Sequence, residues 1–207
     1  MTSRDWNEDY AAGVMPWDTG EPEPFLVDFV EGGNLSPGAR VVEVGCGTGT
    51  NALWLARRGF DVIACDCAPL ALERARKKAD GVPGLRFVEH DFLSDALPEG
   101  PFDFAFDRGV FHVFDEAGQR ARFAERVGRL LRPGGHWASL AGSTEGPPRD
   151  HGPPRRSLRD LADAIEPWLE VVEVRRIEFE AKIPSPAAAW WLLARAREIP
   201  AQPSTRH

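Results

Sequence analysis

Residues 40–49 read RVVEVGCGTG and decide the fold of this chain. Val41, Val42 and Val44 form a β-branched run, which is typical of a strand buried on both faces. The chain then turns through closely spaced glycines into a helical pattern. This order predicts a nucleotide-binding corner, because glycines let a ligand approach the backbone and the helix N-terminus offers unpaired amides.

The spacing of the glycines limits which nucleotide the corner can bind. Gly45, Gly47 and Gly49 fall as G-x-G-x-G, whereas a dinucleotide fingerprint requires a glycine at the position of Thr50. Glu43 stands two residues before the first glycine, where an anion repels a pyrophosphate but suits an ammonium and a sulfonium. The pattern argues against NAD, and a glycine turn that merely links strand to helix is the alternative.

At these residues the sequence resembles the class I S-adenosylmethionine-dependent methyltransferases, whose first motif is E/D-x-G-x-G-x-G. The resemblance covers roughly residues 20–197 and includes LLRPGG at 130–135. The phrase FDFAFDRG at 102–109 is similar to the thiopurine S-methyltransferase and thiol or halide methyltransferase branch. The resemblance implies S-adenosyl-L-methionine as cofactor, S-adenosyl-L-homocysteine as product, no metal and a small-molecule acceptor.

Composition and charge exclude several classes of protein. A length of 207 residues with 43% hydrophobic composition fits one globular domain with a full core. The net charge of −7 leaves no basic surplus for phosphates, so we expect no nucleic-acid partner. The N-terminus lacks an apolar h-region and the longest apolar run, residues 187–194, is too short for a bilayer. We therefore expect a cytoplasmic monomer or homodimer without a membrane partner.

Three segments are expected along the chain. Residues 1–20 are polar but carry three large aromatic side chains, Trp6, Tyr10 and Trp17. Aromatics in so polar a segment have little core to join, so we expect an irregular lid over the site, with an arm packed on the sheet edge as the alternative. Residues 21–198 form the methyltransferase domain, and residues 199–207 form a frayed tail.

Apolar strands alternate with amphipathic helices over the rest of the chain, which predicts an α/β fold. Five parallel strands are expected, followed by an antiparallel hairpin at 170–180 and 189–197. Together with the resemblance, this predicts a Rossmann-like, doubly wound, seven-stranded and mostly parallel sheet. Helices are expected at 22–30 and 51–58, and Ser157 with Asp160 forms a capping-box pattern before another helix.

Residues at the strand ends are the candidate cofactor contacts. Asp66 follows the second predicted strand and is placed to accept hydrogen bonds from ribose hydroxyls, although a helix cap would use the same carboxylate. By resemblance, Asp91 reaches the adenine amine and Phe92 covers the ring. Cys46 and Cys67 are interpreted as small lining residues rather than nucleophiles. The predicted cofactor set is Trp17, Glu43, Gly45, Cys46, Gly47, Gly49, Asn51, Asp66, Cys67, Asp91, Phe92, Asp107 and Arg108.

The residues after the fourth predicted strand are the candidate acceptor contacts, since ligands lie where the strand order reverses. By resemblance, Arg108 approaches the cofactor carboxylate and the acceptor, with a surface salt bridge as the alternative. Asp107 and His112 are the candidate catalytic bases, because an unperturbed histidine pKa of about 6.5 suits proton removal at neutral pH. A cleft-wall role for His112 stays open. The predicted acceptor-binding set is Trp6, Tyr10, Trp17, Arg108, Phe111 and His112.

These residues leave three functions to compare. The favoured one is methyl transfer to a thiol or other soft nucleophile, because a low-pKa thiol or a halide needs no general base. A hydroxyl or protonated amine needs one, so O- or N-methylation of a natural-product or aromatic metabolite is the alternative. A non-catalytic S-adenosylmethionine-binding protein is the third. Residues 142–156, rich in glycine, proline and charge, are expected to form a second flap or a disordered linker.

Overall fold

Seven strands form one sheet in the computed structural model, which describes residues 4–96, 98–147, 152–182 and 186–197. The strands are β1 (Arg40–Val44), β2 (Asp61–Asp66), β3 (Leu85–Glu89), β4 (Phe102–Arg108), β5 (Leu131–Gly142), β6 (Leu169–Phe179) and β7 (Ala187–Ala196). Their order is β3-β2-β1-β4-β5-β7-β6, with the first five parallel and β7 antiparallel to both neighbours. The predicted mostly parallel sheet with an antiparallel C-terminal hairpin is confirmed.

Helices cover both faces of the sheet. They are α1 (Trp6–Ala12), α2 (Pro24–Glu31), α3 (Thr50–Arg57), α4 (Pro69–Lys78), α5 (Ala117–Leu130) and α6 (Leu158–Ile165). Side chains of α2, α3 and α4 pack with Val41 on one face, whereas those of α5 and α6 join the core that contains Val42 on the other. Because side chains alternate along a strand, the valine run of β1 supplies both cores.

The N-terminal segment, which we define as residues 4–20, differs from the sequence prediction. Residues 6–12 form α1, where irregular chain was expected. The Asp5 side chain caps this helix by accepting hydrogen bonds from the amides of Asn7 and Glu8, and Gly13 ends it at a φ of 74°. The cap and the glycine satisfy the exposed backbone groups of a helix too short to form without them.

Other elements agree with the prediction within a few residues, with one exception. The capping box of Ser157 and Asp160 is present at the start of α6, and the C-terminal hairpin spans the expected residues. The exception is β5, which begins at Leu131 rather than at His136, because Leu131 pairs with Phe102 ahead of a register shift in the β4 to β5 pairing. The proline and glycines after α5 therefore lie inside an irregular strand.

The strand order reverses between β1 and β4, and this brings two turns together. The turn after β1 meets the residues that follow β4, including a short 3₁₀ turn at Phe111–Val113. Gly45 has a φ of 68°, and a Cβ built on it would lie 2.1 Å from Cγ2 of Val110. Only glycine fits at this position, since any larger residue would push the two turns apart.

Gly45→Ala and Gly38→Ala should separate backbone strain from this close approach. Gly38 has a similar φ of 74° but nothing within 4 Å of an added Cβ. We expect Gly38→Ala to lower the free energy of unfolding by about 1 kcal/mol. Gly45→Ala should lose about 1–3 kcal/mol more from the clash. Urea unfolding followed by circular dichroism measures both values, and equal losses would contradict the proposed contact.

Candidate functional site

Glu43 is a buried carboxylate near the end of β1. The residue is 2% exposed, and its Oε1 accepts a hydrogen bond from Nδ2 of Asn51 at 3.1 Å. None of the residues that the structure describes hydrogen-bonds Oε2. Burial raises the pKa of this carboxyl to about 8. The unsatisfied oxygen fits an ammonium group, which would supply both the missing donor and the opposite charge.

Asp66 joins the end of β2 to the glycine turn. Its Oδ2 accepts a hydrogen bond from the amide of Gly47 at 2.8 Å, and its Oδ1 accepts one from the amide of Ala68 at 2.8 Å. Burial raises the pKa of this carboxyl. The N-cap residue of α4 is Ala68, so Asp66 precedes the helix cap instead of forming it. Each oxygen keeps a second lone pair that a ribose hydroxyl could use.

The cysteines near this corner are poor candidates for nucleophiles. Cys46 and Cys65 are buried, whereas Cys67 is exposed. Burial raises the pKa of Cys46, and it raises the pKa of Cys67 to about 11. A thiol with a raised pKa carries little thiolate at neutral pH, which agrees with a lining role.

Asp91 and Phe92 follow β3 at the same edge of the sheet but point into different environments. Asp91 is exposed, and its carboxylate accepts hydrogen bonds from the amide of Leu93 and the hydroxyl of Ser94, each at 2.9 Å. Phe92 is 5% exposed and packs on the ring of Phe123 with centroids 4.7 Å apart. The cofactor roles of Asp91 and Phe92 stay predictions, and the ring of Phe92 belongs to the core in this structure.

Asp107 has no exposed surface, and both of its oxygens are in use. Oδ1 accepts hydrogen bonds from the amides of Val110 at 3.1 Å and Phe111 at 3.0 Å. Oδ2 accepts one from Nε1 of Trp137 at 3.0 Å. Burial raises the pKa of this carboxyl to about 6. In this arrangement Asp107 holds the turn after β4, and a catalytic role, which stays a prediction, would require these bonds to open.

His112 and Phe111 are also enclosed by the fold. Nδ1 of His112 accepts a hydrogen bond from the amide of Gly142 at 2.7 Å, so the neutral ring carries its proton on Nε2. The ring lies edge-on to Phe179 with centroids 5.7 Å apart. Phe111 has no exposed surface and packs edge-on against Trp137. Their acceptor-binding roles stay predictions.

Arg108 forms a buried ion pair with Glu23. Its Nε lies 2.6 Å from Oε2 of Glu23, and the two side chains are 12% and 2% exposed. Nη1 donates to the carbonyl of Trp17 at 3.1 Å, and Nη2 donates to the carbonyl of Glu180. The pair is therefore not a surface salt bridge, and the guanidinium joins the N-terminal segment, the start of α2 and the C-terminal hairpin.

Sequence analysis missed Glu23, which connects Arg108 to the first motif. The amide of Glu23 donates to Oδ1 of Asn51 at 2.8 Å, and Asn51 in turn donates to Glu43. A continuous chain of hydrogen bonds thus runs from the end of β1 to the N-terminal segment. Glu23 directly precedes Pro24, the first residue of α2, and this position at a helix start was the only sequence signal available.

The aromatic residues of the N-terminal segment lie over the glycine turn. Trp6 and Trp17 meet edge to face with centroids 5.7 Å apart, and Nε1 of Trp17 donates to the Tyr10 hydroxyl at 3.4 Å. That hydroxyl would lie 2.8 Å from a Cβ built on Gly47, so Tyr10 reaches the glycine backbone itself. The cluster rests on Ala68 and other residues at the start of α4. The segment covers the carboxyl edge of the sheet.

Polar contacts anchor the same segment from its outer side. Nη2 of Arg74 donates to the carbonyl of Tyr10 at 2.8 Å, and the Asn7 side chain accepts the amide of Leu70 at 2.9 Å. The Thr48 hydroxyl donates to Asp18 at 2.8 Å. These contacts hold residues 7–18 against α4 and the glycine turn.

The predicted flap is described only at its base. The amide of Arg156 donates to the carbonyl of Gly142 at 2.8 Å, and Arg155 donates to the carbonyls of Ser143 and Thr144. Residues 148–151, the middle of the predicted flap, lie outside the described residues. In the described part of the chain, no helix has the length and apolar character needed to cross a bilayer.

The matching family and the two relatives described below are all named as methyltransferases. Residues 41–135 match the family described as "Methyltransferase domain". The chain is 35% identical to the Arabidopsis thaliana protein "Probable thiol methyltransferase 2", over 74% of this chain and 67% of the relative. It is 32% identical to "Thiocyanate methyltransferase 1" of Brassica oleracea, over 78% and 71% of the two chains. A solved structure described as "Conversion of a Disulfide Bond into a Thioacetal Group during Echinomycin Biosynthesis" matches with a TM-score of 0.77 and 29% identity, over 88% and 84% of the two chains.

The raised pKa of Glu43 predicts how stability depends on pH. Between its ordinary value of 4.5 and about 8, the folded state keeps a proton that the unfolded chain has lost. The free energy of unfolding should therefore fall as pH rises through this window, by up to about 1.4 kcal/mol per pH unit. Glu43→Gln should remove this share of the slope. Urea unfolding of both proteins across this pH range, without added ligand, measures the difference, and parallel curves would contradict it.

Proposed function

Because this chain belongs to the class I S-adenosylmethionine-dependent methyltransferases of the thiol methyltransferase-like branch, we propose that it methylates the sulfur of a small thiol or soft anion. The family makes it a small-molecule methyltransferase. The names of its relatives, a thiol and a thiocyanate methyltransferase, support sulfur as the accepting atom.

The observation that carries this proposal is the state of the two candidate bases. Both oxygens of Asp107 already accept hydrogen bonds in a fully buried site. A proton added to the neutral ring of His112 would have to enter at Nδ1, where the amide of Gly142 already donates. Asp107 and His112 both hold N–H groups of the surrounding fold in this arrangement, so an acceptor that brings its own lone pair, as a thiolate or thiocyanate does, fits the site best.

The residues around the glycine turn fit the cofactor. S-adenosylmethionine supplies, when bound, a methyl group already activated by a sulfonium. The unsatisfied Oε2 of Glu43 suits the ammonium of the cofactor, and the free lone pairs of Asp66 suit its ribose hydroxyls. Asp91 at the end of β3 stays the proposed contact for adenine. These residues bind and orient, and none of them needs to exchange a proton with the acceptor.

The N-terminal segment would act as the lid of this site. Tyr10 and Trp17 are held against the glycine turn, and Arg108 binds the Trp17 carbonyl from within the site. A closed aromatic cover excludes water, which strips a soft anion of its hydration and leaves it more nucleophilic. Holding the acceptor in line with the methyl carbon would then supply most of the catalysis.

The pH dependence of turnover distinguishes a base-free reaction from one with a base. We expect kcat/KM to rise with the ionisation of the acceptor itself, at lower pH for an aromatic thiol than for an aliphatic thiol. With S-adenosylmethionine at saturation, thiocyanate, which stays ionised, should show a flat profile between about pH 6 and 9. Release of S-adenosylhomocysteine measures all three rates.

Two results would contradict this proposal. One apparent pKa shared by all acceptors would identify a base in the enzyme and return attention to Asp107 or His112. Turnover confined to phenols or amines would replace sulfur with oxygen or nitrogen as the accepting atom.

Asp66→Asn tests the cofactor site independently of the acceptor. Loss of the carboxylate should weaken binding of S-adenosylhomocysteine by about tenfold, or about 1.4 kcal/mol, as expected for a lost charge-assisted hydrogen bond. Asp61→Asn is the matched control, since Asp61 begins the same strand at its opposite end. Calorimetric titration measures both affinities, and unchanged binding by Asp66→Asn would remove this residue from the site.

A further inference from the structure

A groove with a volume of about 550 Å³ lies along the outside of the N-terminal segment. Its lining includes Val14, Met15, Pro16, Asp18, Lys78 and Lys182. Two cations therefore face the groove against one carboxylate. The Asp18 carboxylate accepts the Thr48 hydroxyl, and Lys78 donates to the same hydroxyl at 2.6 Å.

Lining residues of the groove meet at a narrow contact, which we call the seam, formed by residues 16–18 and 180–182. The amide of Lys182 donates to the carbonyl of Pro16 at 2.7 Å. Arg108 donates hydrogen bonds to the carbonyls of Trp17, which follows Pro16, and of Glu180, which lies two residues before Lys182. Arg108 stands directly behind the seam, on the side of the candidate site.

We propose that the seam is the entrance through which the acceptor reaches the site. This inference rests on the proposed soft-acceptor function and adds a route to it. The chain carries a net charge of −7, so its average surface repels an anion. Lys182 is exposed at the groove, where Lys78 and Lys182 outnumber the Asp18 carboxylate, whereas the charge of Arg108 behind the seam is balanced by Glu23.

The energy needed to open the seam is compatible with turnover. Three hydrogen bonds between described residues close it, and local openings that break so few bonds lie at the low-energy end of the motions of a folded protein. All three acceptors are backbone carbonyls, so the seam can reform with the same partners after each passage. Openings of this size occur on the timescale of lid motions in enzymes.

Charge substitutions at Lys182 test the route. We expect the KM for thiocyanate to rise about threefold in Lys182→Met and about tenfold or more in Lys182→Glu, because the local potential that attracts the anion is lost and then reversed. The KM for an aliphatic thiol should rise in the same direction, because the thiolate that reacts is also an anion. Added salt should lower kcat/KM for thiocyanate less in Lys182→Glu than in the unsubstituted enzyme.

Lys77→Met is the matched control for general charge loss. Lys77 lies on α4 beside Lys78 but pairs with Glu73 on the exposed surface, so its removal should leave both KM values unchanged. An unchanged KM for thiocyanate in Lys182→Glu, in an enzyme that turns over thiols, would overturn the entrance while leaving the proposed function intact. Turnover of phenols or amines only would overturn the proposed function itself.

A disulfide across the seam gives a readout that does not depend on charge. The double substitution Pro16→Cys with Lys182→Cys places two thiols on backbones that already touch. After loading with S-adenosylmethionine and oxidation, we expect the cross-linked protein to retain the cofactor and lose turnover of thiocyanate. Reduction with a phosphine should restore it, and the single variants treated in the same way should keep theirs. Undiminished turnover in the cross-linked protein would overturn the entrance.

Discussion

The buried ion pair between Glu23 and Arg108 is the interaction on which the site depends. Both side chains are almost fully buried, so each charge is compensated by the other and by neighbouring carbonyls and amides rather than by water. Losing one partner of such a pair typically costs about 3–5 kcal/mol, because the other charge is left uncompensated. Arg108 uses this fixed position to hold the carbonyls of Trp17 and Glu180. Segments from both ends of the chain are therefore positioned by one residue at the end of β4.

Asp107 and His112, the candidate catalytic bases in the sequence, also hold parts of the fold in place. Asp107 receives three hydrogen bonds from the turn that follows β4 and from Trp137 of β5. His112 receives the amide of Gly142, the last residue of β5. Asp107 and His112 thereby connect the end of β4 to β5, and these contacts shape the wall opposite the glycine turn. A reaction that needs accurate positioning more than proton transfer can use its ionisable residues in this way.

Most of the fold could be predicted from the sequence because its signals are local, although α1 and the start of β5 were missed. The valine run of β1, the positive-φ glycine turn and the capping box of Ser157 act within a few residues of each other. The site depends on contacts that no local pattern encodes. Glu23 meets Arg108 across 85 positions of sequence, and Trp137 meets Asp107 across 30. A residue at a strand end can point into a cleft or into the core. The side chains of Asp107, Phe92 and Phe111 are all buried in the core here. Only packing decides that direction.

Three backbone carbonyls help to attach the N-terminal segment, while its aromatic side chains face the glycine turn. Arg74 holds the carbonyl of Tyr10, Arg108 holds that of Trp17, and the amide of Lys182 holds that of Pro16. A backbone carbonyl is present whatever the side chain, so these contacts survive substitution at the residue that supplies them. The aromatic side chains that face the glycine turn can then change without breaking these three backbone contacts. In a fold that hosts many acceptors, specificity can therefore vary in the cover while the scaffold beneath it stays constant.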